Sequence, residues 1–509
     1  MSKKGDFFEH INNGYSTKGD SIALGAAMLE GETLTDALIK VPLKTINRHG
    51  LIAGATGTGK TKTLQIFAEN LSEQGVPVLL MDMKGDLSGI AQPSLGHPKI
   101  EERHAKIGLP FHPKKFPVEI LTISEQDGVR MRATISEFGP VLLARILNLS
   151  DTQSGIVSVI FKYCDDHKLP LLDLKDFKKI LQYTTDQGKA ELSKDYGRIS
   201  TASTGAILRK VIALEQQGAD LFFGEKSFDT DDLLRIDENG MGYINIIRLT
   251  DIQDRPQMFS TFMLSLLAEI YETFPEQGDS GRPELVIFID EAHLIFKEAS
   301  SALLNQIESI VKLIRSKGVG LYFVTQNPTD VPDGILSQLG LKIQHALRAF
   351  TAKDRKAIKL TAENYPISEY YKTDEVLTSL GIGEALVSVL NEKGVPTPLA
   401  VTLLRAPMSR MDVLEEHELV HLTKNSKLVE KYNNNIDRES AYELLIKKIE
   451  IAEKKELKTK VSKQRDAENR SSGRSSRGGN SETQRSIIRV LTSPTVIRSV
   501  LGILGKMMR

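Results

Sequence analysis

A single cysteine, Cys164, in a chain of 509 residues rules out an intrachain disulfide and fits a reducing compartment best. No uninterrupted apolar stretch approaches the length that spans a bilayer. The opening Met1-Ser2-Lys3-Lys4-Gly5-Asp6 leads into no apolar signal region. By elimination the expected location is cytoplasmic. No Cys/His cluster with metal-ligand spacing occurs, so His293 reads as structural rather than as a ligand. Net charge is absent too, 66 Lys and Arg meeting 66 Asp and Glu, but the balance is uneven. Residues 447–509 hold 16 basic and 6 acidic residues, so the rest of the chain is net acidic by ten. Such a tail suits an anionic partner, or else is a solvated helix and linker with none.

What the chain does have is a phosphate-binding loop. Gly54-Ala55-Thr56-Gly57-Thr58-Gly59-Lys60-Thr61 matches G-x-x-x-x-G-K-[ST] in full. The apolar run Leu51-Ile52-Ala53 precedes it, and a stretch readable as helix follows from Lys60 to about Leu71. A strand thus delivers backbone N–H groups and a helix N-terminus to the phosphates, which is the context the motif requires. The pattern implies a nucleoside triphosphate.

Along the chain, residues 1–46 read as a small N-terminal β cap. An α/β core follows over 47–124 and 235–410, with strands at Leu51–Ala53, Val78–Asp82, Glu119–Thr122, Tyr243–Leu249, Leu285–Asp290 and Leu321–Thr325. Their near-continuous apolar runs are those of a mostly parallel sheet covered on both faces. Residues 125–234 carry helical patterns and no convincing strand, so they read as a helical insertion. Asn391-Glu392-Lys393-Gly394 between two apolar runs predicts a hairpin at the sheet edge. Beyond it come a charged helical segment (411–465), a Ser/Gly/Arg-rich linker (466–484) and an amphipathic basic segment (485–509).

Hydrolysis of ATP requires phosphate binding, metal holding, water activation and neutralisation of charge in the transition state. The loop amides and Lys60 meet the first need, and the Thr61 hydroxyl is placed to ligate Mg²⁺. In Glu284-Leu285-Val286-Ile287-Phe288-Ile289-Asp290-Glu291-Ala292-His293 an apolar strand ends in Asp290-Glu291, the form of a Walker B site. Asp290 would hold the hydrated metal and Glu291 would polarise the attacking water. A carboxylate aimed at water favours a hydrolase over a kinase. Gln326, at the tip of Leu321–Thr325, is a candidate γ-phosphate sensor or a solvent-facing strand end. Arg315 is a candidate finger for a neighbouring subunit or a helix C-terminal charge, and Arg348 is its rival. Asp82 closes the second strand on the edge where nucleotide sites collect.

Together these segments resemble the HerA/FtsK superfamily of motor ATPases, most closely a bacterial group of HerA-like ATPases. The matching pieces are Arg48–Thr61, Asp82-Met83-Lys84-Gly85-Asp86, Ile289-Asp290-Glu291-Ala292-His293, and Arg315-Ser316-Lys317-Gly318-Val319-Gly320 leading to Thr325-Gln326-Asn327-Pro328. The resemblance implies a RecA-like P-loop core and a homo-hexameric ring with each ATP site at a subunit boundary. By position it makes Lys60 and Thr61 the phosphate and metal ligands, Asp290 and Glu291 the Walker B pair, Gln326 the sensor and Arg315 the finger. HerA proteins carry an N-terminal β-barrel ahead of the motor, whereas only about 50 residues precede the P-loop here, so the resemblance leaves a partner nuclease open.

Two functions compete. One is a ring that translocates on double-stranded DNA, using its pore and basic tail for phosphate contacts. The other is an ATP-driven assembly or remodelling factor that acts on protein, favoured by zero net charge and by the lack of conspicuous aromatic–basic interleaving. Residues 486–509 also offer an apolar, basic face that docks on protein or brings the chain to the periphery of an anionic membrane.

Overall fold

The structure is a computed structural model describing residues 3–278, 280–297, 301–434, 436 and 438–472. The chain divides into two units, Met1–Leu444 and Leu445–Arg509. In the first, the described residues place twelve strands in one sheet. They are β1 (Ser21–Leu29), β2 (Glu32–Pro42), β3 (Gly50–Ala53), β4 (Val78–Asp82), β5 (Val118–Thr122) and β6 (Val129–Arg130), followed by β7 (Ile244–Arg248), β8 (Leu285–Ile289), β9 (Val319–Thr325), β10 (Leu341–Gln344), β11 (Glu384–Ser388) and β12 (Ala400–Leu404). Their order is β2-β1-β12-β11-β10-β3-β9-β8-β4-β7-β5-β6. From β10 to β6 every pairing is parallel, and from β10 back to β2 every pairing is antiparallel.

The central strands explain why the sheet forms. Every residue of β3, β4, β8 and β9 is buried, so both faces are covered and no alternation of polar residues is tolerated. On one face the helix Lys60–Glu73 buries Leu64, Phe67, Ala68 and Leu71. Phe67 meets Phe288 of β8 and Tyr322 of β9 with ring centroids 6.0 and 5.8 Å apart. Burial of one such aromatic contributes about 1.5–3 kcal/mol. The P-loop helix is thereby clamped to β9, the neighbour of β3, and to β8 beyond it.

Several elements differ from the sequence expectation. Residues 1–46 supply helix Lys3–Gly14 and strands β1 and β2, which extend the main sheet through pairing of β1 with β12. That extension moves the β11–β12 hairpin inside the sheet, away from the predicted edge. Two strands escaped the sequence reading. β10 is four residues with Lys342 in its middle, and β6 is two residues. Within 125–234 the helices are Ile135–Ile146, Asp151–Asp166, Leu174–Thr185, Lys189–Asp195 and Thr201–Gln216, while β6 is a strand where none was read. Three of these helices start on reciprocal caps: Thr134 with Glu137, Ser150 with Gln153, and Asp173 with Asp176. Helix Ala441–Ser472 runs on through residues 466–472, which composition assigned to a linker. The remainder of that linker and the segment 485–509 lie outside the described residues. No helix among the described residues is long and apolar enough to cross a membrane.

One link crosses the amino-terminal ends of the strands. His49, buried just before β3, contacts the Val311 carbonyl through Nε2 at 2.8 Å and accepts the Leu321 N–H at Nδ1 at 3.0 Å. Burial pushes its pKa down to about 4, so the ring is neutral near neutral pH. With Nδ1 accepting, Nε2 carries the proton and donates to Val311.

Candidate active site

The loop between β3 and helix Lys60–Glu73 is shaped by glycine. Gly54 has φ 153°, and a Cβ there would lie 2.5 Å from the Cβ of His345. Gly59, at φ 114°, turns the chain into the helix. The loop is anchored by Ala55 N–H to the Ala346 carbonyl (2.8 Å) and by the Thr58 hydroxyl to the Ala55 carbonyl (2.7 Å). Lys60 is 6 % exposed, and its ammonium donates to the Gly54 and Ala55 carbonyls at 2.7 and 3.2 Å. Burial, and then the charge of Lys84, lower its pKa. Thr61 stands half-buried on the first turn of the helix.

Asp290 and Glu291 follow β8, one strand away from β3 across β9. Asp290 is 2 % exposed and its Oδ2 has no hydrogen-bond partner. Burial pushes its pKa up to about 7, against the opposing pull of Lys84, whose Nζ is 3.9 Å from Oδ2. Glu291 takes φ 48°, a left-handed conformation that a side chain adopts only at some cost. Its Oε1 is ion-paired with Lys84, and its Oε2 lies 3.2 Å from His293 Nδ1. A buried lysine at a helix N-terminus, a buried carboxylate oxygen without a partner and a second carboxylate beside it suit a nucleotide phosphate with a hard cation. The donor set fits Mg²⁺ held jointly by protein and phosphate. Among the described residues no cluster of three acidic, His or Cys side chains could hold a metal unaided.

The other candidates divide. Asp82, at the end of β4, accepts the backbone N–H groups of Gly85 (2.7 Å), Asp86 (3.2 Å) and Leu87 (3.2 Å). It shapes the loop that presents Lys84, and burial followed by the charge of Asp86 raises its pKa to about 6. Gln326 is exposed at the carboxyl tip of β9, between the strands carrying Lys60 and Asp290. Arg348 is exposed on the same sheet edge, two residues past the Ala346 that bonds the P-loop. Arg315 is not gathered there. It precedes β9, and the seven residues of that strand put about 20 Å between it and the Lys60 edge.

Two residues of this constellation were not singled out from the sequence. Lys84 faces both Asp290 and Glu291, and its signal was the Asp82-Met83-Lys84-Gly85-Asp86 segment, where only the aspartate was weighed. His345 packs under the P-loop with Nε2 2.9 Å from the Thr63 hydroxyl, and burial, then Lys60, push its pKa to about 4. Nothing local in the sequence marks it, because its contacts depend on β10 lying beside β3.

The buried Asp290 has a measurable consequence. Its folded pKa is raised above the unfolded value near 3.8, so its contribution favours folding below pH 4 and is lost as pH rises through about 7. Nucleotide-free Asp290→Asn protein should therefore melt about 2–4 °C above the parent at pH 8. The gap should narrow as pH falls below 6. Equal melting temperatures at pH 8 would mean that Lys84 fully offsets the buried charge.

A family profile described as helicase HerA-like C-terminal matches residues 28–509. The DNA double-strand break repair helicase HerA of Sulfolobus acidocaldarius is 23 % identical over 399 residues, covering 75 % of this chain and 72 % of that protein. The protein so described from Saccharolobus solfataricus is 25 % identical over 354 residues, covering 69 % of this chain and 63 % of its own. Among solved structures, the bacterial conjugative coupling protein TrwBdeltaN70 superposes with a TM-score of 0.52 at 15 % identity, covering 80 % of this chain and 94 % of that one. At that identity the likeness is one of fold.

Proposed function

The chain belongs to the helicase HerA-like C-terminal family, and from that premise we propose that it is an ATP-hydrolysing motor working on DNA as a translocase or helicase. The observation that carries the reading is the convergence of Lys60, Asp290 and Glu291 at the carboxyl ends of strands separated only by β9. Loop amides and Lys60 grip the phosphates. Thr61 and Asp290 would hold Mg²⁺, which when bound neutralises charge between the β- and γ-phosphates. Glu291 takes the proton of the attacking water once Lys84 has released it, and Gln326 reads the γ-phosphate from the intervening strand tip. The lysine pairing favours a resting state in which the base is occupied.

We infer further that the protein assembles as a ring, the homo-hexamer that the resemblance of its motifs implies. Arg315 lies at the opposite end of β9 from its own Lys60, so any part in hydrolysis would be played in the site of an adjacent copy.

Steady-state ATP hydrolysis, with and without linear double-stranded DNA, tests the reading. Several-fold stimulation at 50 mM salt that fades by about 200 mM is expected of a motor gripping phosphates. Hydrolysis indifferent to DNA at every salt concentration would displace the DNA reading in favour of ATP-driven protein remodelling.

A further inference from the structure

The segment that leaves the P-loop edge beyond β10 carries an unusual surface. His345 and Ala346 are stitched to the site: His345 N–H bonds the Ala53 carbonyl (2.7 Å), and Ala55 N–H bonds the Ala346 carbonyl (2.8 Å). The chain then emerges at Arg348 and Phe350, the latter 86 % exposed, and enters helix Ala352–Glu363. Thr351 and Asp354 cap that helix reciprocally, and the Asp354 carboxylate also accepts the Phe350 N–H at 3.0 Å. One face is anchored by Ile358 and Thr361, and Ile358 shares a core with Ala346, Leu347 and Tyr365. The opposite face exposes Lys353, Arg355, Lys356 and Lys359.

Those four cations and Arg348 form no ion pair among the described residues. Elsewhere helix lysines find carboxylates one turn away, as in Lys106–Glu102 (2.7 Å), Lys162–Asp166 (2.6 Å) and Lys312–Glu308 (2.6 Å). The segment 348–363 holds five basic residues against two acidic ones, Asp354, which caps the helix and feels the charge of Lys353, and Glu363. A chain of zero net charge therefore concentrates unanswered positive charge on one helix face, next to an exposed aromatic ring. The same helix packs beside the turn Pro328–Asp330 that follows Gln326.

We propose that the exposed face of helix Ala352–Glu363, with Phe350 at its start, is the surface that grips the sugar–phosphate backbone of DNA. The assignment rests on the reading of the chain as a DNA motor, and it adds where the polymer is held and how the grip reaches the nucleotide. Lys353, Arg355, Lys356 and Lys359 neutralise successive phosphates, and Phe350 offers a stacking plane to an unpaired base. The backbone bonds at His345 and Ala346 connect this grip to Ala53 and Ala55, on either side of Gly54. Movement of the P-loop on nucleotide exchange thereby reaches the helix through five residues of chain.

The test uses the full chain with all four cations replaced by Ala, leaving Arg348 in place. Fluorescence anisotropy with duplex and single-stranded oligonucleotides is read between 50 and 200 mM salt, beside hydrolysis without DNA. Basal hydrolysis should be unchanged, whereas DNA affinity at 50 mM salt should fall about 100-fold and the log–log salt slope should flatten by about 3 to 4. The variant carrying Arg at all four positions should bind like the parent. Phe350→Ala should weaken single strands about 10-fold and spare duplex, which separates stacking from phosphate contact. A quadruple-Ala variant that binds DNA like the parent overturns the proposal while leaving the motor reading intact. A parent that binds neither form of DNA overturns both, and binding to phosphatidylserine vesicles in its place would give the face to a membrane.

Discussion

Glu291→Gln is expected to slow steady-state ATP hydrolysis by about 100- to 1000-fold while leaving nucleotide affinity within a few-fold of the parent. The amide has the volume of the carboxylate and its carbonyl oxygen can still face Lys84, so the loop after β8 should keep its shape. On the proposed mechanism, what is lost is a group that accepts a proton from water. Phosphate binding would rest on Lys60 and the loop amides, which do not hydrogen-bond Glu291. Hydrolysis would be followed by phosphate release and affinity by a fluorescent nucleotide. Release of phosphate at the parent rate would remove Glu291 from water activation, leaving its pairing with Lys84 as a purely structural contact.

Lys60→Ala should lower nucleotide affinity by at least about 100-fold and abolish measurable hydrolysis. The ammonium is the one side-chain cation buried at the loop itself, and no exposed lysine can replace it within the same cradle. Its removal also leaves the Gly54 and Ala55 carbonyls without that donor, at a stability cost of about 1–3 kcal/mol. Melting temperature must therefore be measured alongside, with Lys60→Arg as a second variant that keeps charge and changes geometry. Affinity retained in a folded Lys60→Ala protein would exclude the lysine as the phosphate grip. The same variant also interrogates Arg315. Mixed with Arg315→Ala chains, it should recover a fraction of activity if the arginine serves a neighbouring copy, because some mixed boundaries then pair an intact Lys60 with an intact Arg315. Absence of any recovery across mixing ratios would confine Arg315 to its own chain.

The parts of the fold that could be read from sequence were those with local rules. A glycine pattern between an apolar run and a helix identifies the P-loop, and an apolar strand ending in two acids identifies the second half of the site. Capping pairs such as Ser150 with Gln153 mark helix starts just as directly. What stayed hidden depends on long-range pairing. β10 alternates too briefly to register, yet it places His345 against Gly54 and sends the chain out toward Arg348. The placement of β1 beside β12 likewise follows from hydrogen bonds between segments some 375 residues apart, which no local pattern announces. Lys84 was legible as a residue but not as a partner, because its role appears only when β4 and β8 lie side by side. The basic helix looked ordinary for a related reason. Its charge stands out only against the ion pairs that other lysines make in space.

The buried His49 gives the sheet a mechanical property. Bonded to the Val311 carbonyl on one side and the Leu321 amide on the other, it ties the root of β3 to β9 and to helix Ser301–Ile314, which ends just before Arg315. Its ring stays uncharged down to about pH 4, so ordinary acidification does not loosen the tie. A strand held this way at its base has little freedom to slide against its neighbours, so the phosphate-binding loop springs from a fixed footing.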